Sequence, residues 1–183
     1  TTITKPERDI AKAGVHGGNY GLGAKKASAI YGLSYLDAKH AIEAYRGALP
    51  EVEQWWDRIQ SLLHATRTLF SPIGRRRQFF GRMDQELFRS AYSFIPQATV
   101  SDVINRALCF LHDILKDLGG WPVLQVHDEI DAVVPEHHAE EAMRRMKRVM
   151  EYPIRFKGIE EPLVIPVEIG HGPSWGEQEE WNG

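Results

Sequence analysis

Apolar positions along this chain recur with a helical period in its first part and gain a strand-like period further on. From Pro50 to Arg67, the residues Val52, Trp55, Trp56, Ile59, Leu62 and Leu63 fall at three- and four-residue intervals, predicting an amphipathic helix opened by Pro50. Ser34, with Asp37 three residues on, caps a second helix that should stop at Gly47. Before it, "KPERDIAKAGVHGGNYGLGAKKASAIYG" reads as one helix signalled by Pro6 and Glu7, ending or bending near Gly21 to Gly23. From Ser101, Val103, Ile104, Ala107, Leu108, Leu111, Ile114, Leu115 and Leu118 share one helical face up to the terminating glycines. Between Pro135 and Pro153, Ala139, Ala142, Met143, Met146, Val149 and Met150 turn inward on a last helix.

Strand patterns interleave with the later helices. "TLFSPIGRRRQFFGR" carries turn chemistry at Ser71-Pro72 and Gly74 between strand-forming residues and predicts a β-hairpin. "LQVHDEIDAVV" predicts two short strands meeting at a polar tip, and "EPLVIPVEIG" predicts a final strand. The order implies an α+β chain, helical over residues 1–68 and mixed, with antiparallel strands and packed helices, over 69–183.

His127, Asp128 and Glu129 interrupt an apolar run, and two explanations compete. Consecutive side chains of a straight strand point to opposite faces, so aiming both acids at one place requires a tight turn there. The alternative is an ordinary solvated hairpin tip, where Asp is common.

Composition changes the picture little, and charge distribution more. A hydrophobic fraction of 43% and a charged fraction of 26% are those of a folded globular chain. No run reaches the ~20 apolar residues of a membrane helix, and the N-terminus has no apolar signal core, which makes an intracellular location the default. The single Cys109 lies in apolar "ALCFLHDIL" and suits packing. A formal net charge of −3 speaks against a general polyanion binder. Yet Arg58 to Arg106 holds eight arginines against three acids, a local +5, and Thr1 to Lys26 holds five basic residues against two acids, a local +3. Such asymmetry suits a protein that meets phosphates on one side.

In the first predicted helix, Arg8, Lys12, His16 and Tyr20 follow at four-residue steps, drifting by ~40° per step along one face and spanning ~18 Å. Two cations near a positive helix end, then an imidazole and a phenol, could hold an extended anion carrying a flat group. Gly14, Gly17, Gly18 and Gly21 would leave room for something bulky beside them. The same spacing also fits an ordinary surface helix.

"RDIAKAGVHGGNYG" resembles the fingers-helix motif of the family A DNA polymerases, and "QVHDE" resembles the last palm motif of that family. "RSAYSFIPQATVSDVINRAL" resembles the segment between them and "PVEIGHGPSW" the C-terminal strand and tail. Four motifs in the right order cover nearly the whole chain. The resemblance implies a helical fingers portion, then an antiparallel-sheet palm portion, of an enzyme that adds deoxynucleotides to a primer 3′ end by two-metal phosphoryl transfer. Arg8 and Lys12 would then bind the triphosphate of the incoming dNTP, and Tyr20 would stack near the templating position. Arg89 and Gln97 would touch primer-template DNA in the minor groove, His127 would approach the primer terminus, Asp128 would ligate Mg2+, and Glu129 would support it.

Two departures stand out. His16 occupies a place where the family usually carries Phe or Tyr against the nucleotide sugar, which bears on sugar discrimination. Ser93 stands where an Asn is common. The family's first catalytic Asp belongs to a strand upstream of the fingers helix, so the resemblance implies an N-terminal polymerase half, either a missing segment or a separate chain, as partner. A truncated record, a split polymerase and a spliced product all accommodate a chain beginning at Thr1. The family also implies the cytoplasm of a bacterial or phage-infected cell, without membrane partners. Two other functions compete: a non-catalytic nucleic-acid- or nucleotide-binding subunit derived from a polymerase, and a zinc hydrolase using His127, His137, His138 or His171, whose spacing lacks an i+4 histidine pair.

Overall fold

The computed structural model describes residues 4–181, and along the first helix the side chains of Lys5, Pro6, Glu7, Asp9, Ile10, Lys12 and Ala13 lie outside what is described. Its elements run α1 (Lys5–Asn19), α2 (Ala24–Tyr31), α3 (Tyr35–Ala48), α4 (Pro50–Thr66), β1 (Thr68–Phe70), β2 (Arg76–Gln78), α5 (Gln85–Lys116), β3 (Trp121–Val126), β4 (Glu129–Val133), α6 (Ala139–Met150), β5 (Gly170–Ser174) and β6 (Glu177–Glu180). The strands form three two-stranded sheets, β1 with β2, β3 with β4 and β5 with β6. The chain is therefore α+β, as its patterning implies. It separates into two compact units, one of Thr1–Leu69 with Arg76–Ile95, the other of Phe70–Arg75 with Pro96–Gly183.

In the first unit, helix signals and helix ends agree closely. The Ser34 hydroxyl accepts the Asp37 backbone N–H at 3.1 Å and donates to the Asp37 carboxylate at 2.7 Å, which fixes the start of α3. Pro50 opens α4, which buries Trp56, Ile59 and Leu63 while Leu62 stays 44% exposed. Phe79, Phe88, Ala91, Tyr92 and Phe94 of this unit are buried as well, and the Trp56 ring stacks on Tyr92.

The segment read as one helix ending or bending near Gly21 to Gly23 divides there into two. α1 stops at Asn19 and α2 begins at Ala24. Gly21 takes a φ of +76°, and the N–H groups of Tyr20 and Leu22 fold back onto the Gly17 carbonyl. Tyr20 thus lies just beyond the helix. The expected room beside the glycines is also partly filled by the protein itself. A Cβ on Gly18 would stand 2.6 Å from Tyr45 Cε1, and one on Gly17 would stand 2.7 Å from Leu22 Cδ2; Gly14 alone of these faces open space. The Tyr45 hydroxyl donates to Asn19 Oδ1 at 2.6 Å and the Trp56 indole to the Asn19 carbonyl at 2.9 Å, so the end of α1 is tied to α3 and α4.

α5 begins sixteen residues before the expected Ser101, at Gln85, and runs for 32 residues through Pro96. Asp84 Oδ1 accepts the N–H groups of Glu86 and Leu87, both at 3.1 Å, and supplies the start signal. Phe88, Ala91, Tyr92, Ala98 and Thr99 are buried, continuing upstream the inward face predicted from Val103 onward. Pro96 removes one donor from the ladder without ending the helix.

In the second unit, Ile104, Ala107, Leu111, Leu115 and Leu118 of α5 pack with Ile130 of β4 and with Ala142 and Met150 of α6. These are the inward positions that the periodicity marks. The expected strand over "EPLVIPVEIG" is not formed. Pro162 and Pro166 lack the N–H a ladder needs, one bridge joins Ile154 to Leu163, and the Val167 N–H goes to Glu151 Oε1 at 3.1 Å. Regular pairing starts at Gly170, where β5 meets β6.

Candidate functional site

The polar interruption in "LQVHDEIDAVV" is a two-residue hairpin turn. β3 and β4 pair antiparallel, with Val126 opposite Glu129, Gln125 opposite Ile130 and Leu124 opposite Asp131. His127 and Asp128 make the turn, and His127 adopts a left-handed φ of +53°. The Gln125 amide donates to the His127 carbonyl at 2.7 Å and braces the tip. Ile130 is buried on one face of β4 while His127, Asp128 and Glu129 are exposed. The turn therefore resolves the geometric objection to one continuous strand and presents imidazole and carboxylates together at one end of the hairpin.

Glu129 and Asp131 lie two residues apart and so share the face of β4 opposite Ile130. Glu129 Oε1 accepts the Trp175 indole N–H at 3.1 Å, a bond from the β5–β6 turn. Asp131 is half-buried, and its Oδ2 has no hydrogen-bond partner among the described residues. Burial, and then the charge and hydrogen bonding of Glu129, hold the Asp131 carboxyl above its ordinary pKa. A groove of about 1260 Å³ runs beside this face, walled by Val123, Asp128, Asp131, Met146 and Trp175 among others. The outer apolar residues Val123, Leu124 and Val133 remain 51%, 44% and 51% exposed. Among the described residues, no group of three or more His, Cys, Asp or Glu side chains could hold a metal ion. Asp102, inside the "RSAYSFIPQATVSDVINRAL" segment, accepts from Ser71 Oγ at 2.8 Å and from Arg75 Nε at 2.6 Å and is a structural anchor.

The basic stripe is carried by the first unit. Arg8 and His16 are exposed on α1, and the Lys12 side chain lies outside the described residues. His16 meets Tyr20 edge-on, ring centroids 4.8 Å apart and planes at 89°. Tyr20 is half-buried, and burial pushes its phenol pKa up. Arg89 and Gln97 both lie exposed on α5. Sequence reasoning reached the hairpin and the stripe but passed over Trp175 as a partner of Glu129. The turn chemistry of "GPSWG" could have flagged it, because a large aromatic at a glycine-flanked tip is held out from its own sheet.

No helix among the described residues is long and apolar enough to cross a membrane. The family model described as DNA polymerase family A matches residues 1–177. The thermostable DNA polymerase I of Thermus filiformis is 33% identical over 176 residues, covering 92% of this chain and 20% of that protein. DNA polymerase I of Deinococcus radiodurans is 29% identical over 180 residues, covering 95% of this chain and 18% of that protein. The chain thus spans about a fifth of the length of these curated relatives. Among solved structures, the POL domain of Pol1 from M. smegmatis, in complex with DNA primer-template and dNTP, superposes with a TM-score of 0.76 at 24% identity over 88% of this chain and 29% of that one.

Proposed function

This chain belongs to DNA polymerase family A, and from that premise we propose that it forms the fingers and palm portion of a template-directed polymerase extending a DNA primer with dNTPs. The observation that supports the reading is the exposed His127-Asp128 turn of the "QVHDE" hairpin, which leaves the Asp128 carboxylate open to solvent. Residues 1–68 act as fingers and 69–183 as palm. Arg8 and Lys12 hold the triphosphate, offsetting charge that moves to the leaving pyrophosphate. His16 lies against the sugar and Tyr20 beside the templating base. Arg89 and Gln97 follow the minor groove, where all base pairs offer similar acceptors and shape can be checked without reading sequence.

Two-metal transfer needs carboxylates from separate chain segments. Asp128 supplies one, Glu129 supports it, and the second comes from a polymerase segment outside these residues. When bound, Mg2+ supplies charge stabilisation at the reacting phosphate. The exposed apolar side chains of β3 and β4 give that N-terminal half a surface to pack on, and the bacterial relatives suit the cytoplasm of a bacterial or phage-infected cell.

The test is primer extension by this chain with and without a polypeptide carrying the upstream palm strands of a family A polymerase. Extension on mixing, lost in Asp128→Ala, supports the reading. Activity that survives Asp128→Ala removes the metal-ligand role, and primer-template binding without extension in any mixture leaves a non-catalytic subunit.

A further inference from the structure

Trp175 lies 63% exposed at the turn between β5 and β6, a costly place to leave so large an apolar ring. Its indole N–H, which can only donate, is directed to Glu129 Oε1 across 46 residues of sequence. The hairpin that carries it is built to hold still. Ser174 Oγ donates to Glu177 Oε2 at 3.0 Å beside the turn. A Cβ on Gly172 would collide with the Glu177 carbonyl, so the strands approach there more closely than any side chain allows. At the far end, the Trp181 N–H donates to the Ile169 carbonyl at 2.8 Å, and Lys147 of α6 sits over the Trp181 ring at 5.8 Å.

We propose that Trp175 is a positioning residue that fixes the Glu129 carboxylate beside Asp128, a role resting on the polymerase reading above. A Glu side chain at the end of a short hairpin has little around it to hold one rotamer, its neighbour on the same face being the Asp131 carboxyl. One charge-assisted N–H···O bond from a second hairpin selects one rotamer of Glu129. Trp175 touches neither DNA nor nucleotide in this role. It acts through Glu129.

Two measurements test this. In the full chain with 15N-labelled tryptophan, the Trp175 Nε1–H resonance, identified by its loss in Trp175→Phe, moves upfield in Glu129→Ala while the other four indole signals hold. In the mixed polymerase assembly, Trp175→Phe lowers kcat about tenfold, the loss of one charge-assisted hydrogen bond, with KM for dNTP within about twofold. In a Glu129→Ala background, the same substitution causes no further loss. An unmoved indole resonance, an unchanged kcat, or an equal loss in both backgrounds overturns the proposal. If the wild-type assembly extends no primer, the polymerase reading fails and the positioning role with it, while the resonance still reports whether the contact exists.

Discussion

The ring of Trp56 lies stacked on that of Tyr92, centroids 5.3 Å apart and planes 20° apart. Each ring is also pinned at its polar edge, Trp56 by the Asn19 carbonyl at 2.9 Å and Tyr92 by the Gln60 amide, which donates to its hydroxyl at 2.7 Å. The pair joins α4, α5 and the end of α1, so the placement of the turn at Tyr20 and Gly21 depends on it. Trp56→Ala should lower the stability of the chain by about 3–5 kcal/mol, through lost burial and a cavity. Trp56→Phe should cost about 1–2 kcal/mol, by leaving the Asn19 carbonyl unpaired. Urea unfolding of the two variants checks the order.

Gly18 and Gly14 should respond oppositely to alanine. The space beside Gly18 is filled by a Tyr45 ring that its own hydrogen bond to Asn19 holds in place. Gly18→Ala is expected to destabilise by about 1–3 kcal/mol as the ring is displaced. Gly14 lies inside α1 with nothing within 4 Å, and Gly14→Ala should stabilise by about 0.5–1 kcal/mol. Thermal melts of both variants against the parent would show Tm moving in opposite directions.

Asp131 gives a pH-dependent prediction. Its folded-state pKa is raised above the ordinary 3.8, so folding disfavours its charged form. The unfavourable contribution is absent below that value, grows as pH rises from it toward the raised folded pKa, and is complete above the folded pKa. Asp131→Asn should therefore raise Tm near neutrality, with the gain shrinking as pH falls toward 4. A gain that is constant with pH would point to packing instead.

His16 should set how the sugar of an incoming nucleotide is judged. Its ring meets Tyr20 edge-on at 4.8 Å from an exposed position on α1. His16→Phe should change the ratio of kcat/KM for deoxy- and dideoxynucleotides by about tenfold while leaving Tm nearly unchanged, since one contact in a pocket is worth about 1–3 kcal/mol. Single-turnover incorporation in the mixed assembly measures the ratio.

Elements defined by local signals were legible in the sequence. The Ser34 cap, the Pro50 start, the α5 face from Val103 to Leu118 and the polar hairpin tip around His127 each rest on neighbours a few residues away. What failed depended on contacts across distance or on weak competing signals. The upstream part of α5, from Gln85, lay outside the face read from Val103, and the glycines around Gly18 suggested room for a ligand where Tyr45, 27 residues on, fills the space. The strand read over "EPLVIPVEIG" had the right residues for burial but two prolines where donors were needed. At the site, the motifs marked His127, Asp128 and Glu129, whereas Trp175 could be recognised only once a second hairpin brought it within 3.1 Å of Glu129.

The left-handed backbone at His127 has a further consequence. A non-glycine residue there holds about 1–2 kcal/mol of conformational energy that is released as soon as the turn opens. The tip is thus a point of local frustration in a hairpin otherwise fixed by paired strands and a buried Ile130. Opening should begin there before it reaches the strands, so hydrogen exchange at the turn should outpace that along β3 and β4. Such a tip can readjust without loosening the scaffold that carries it.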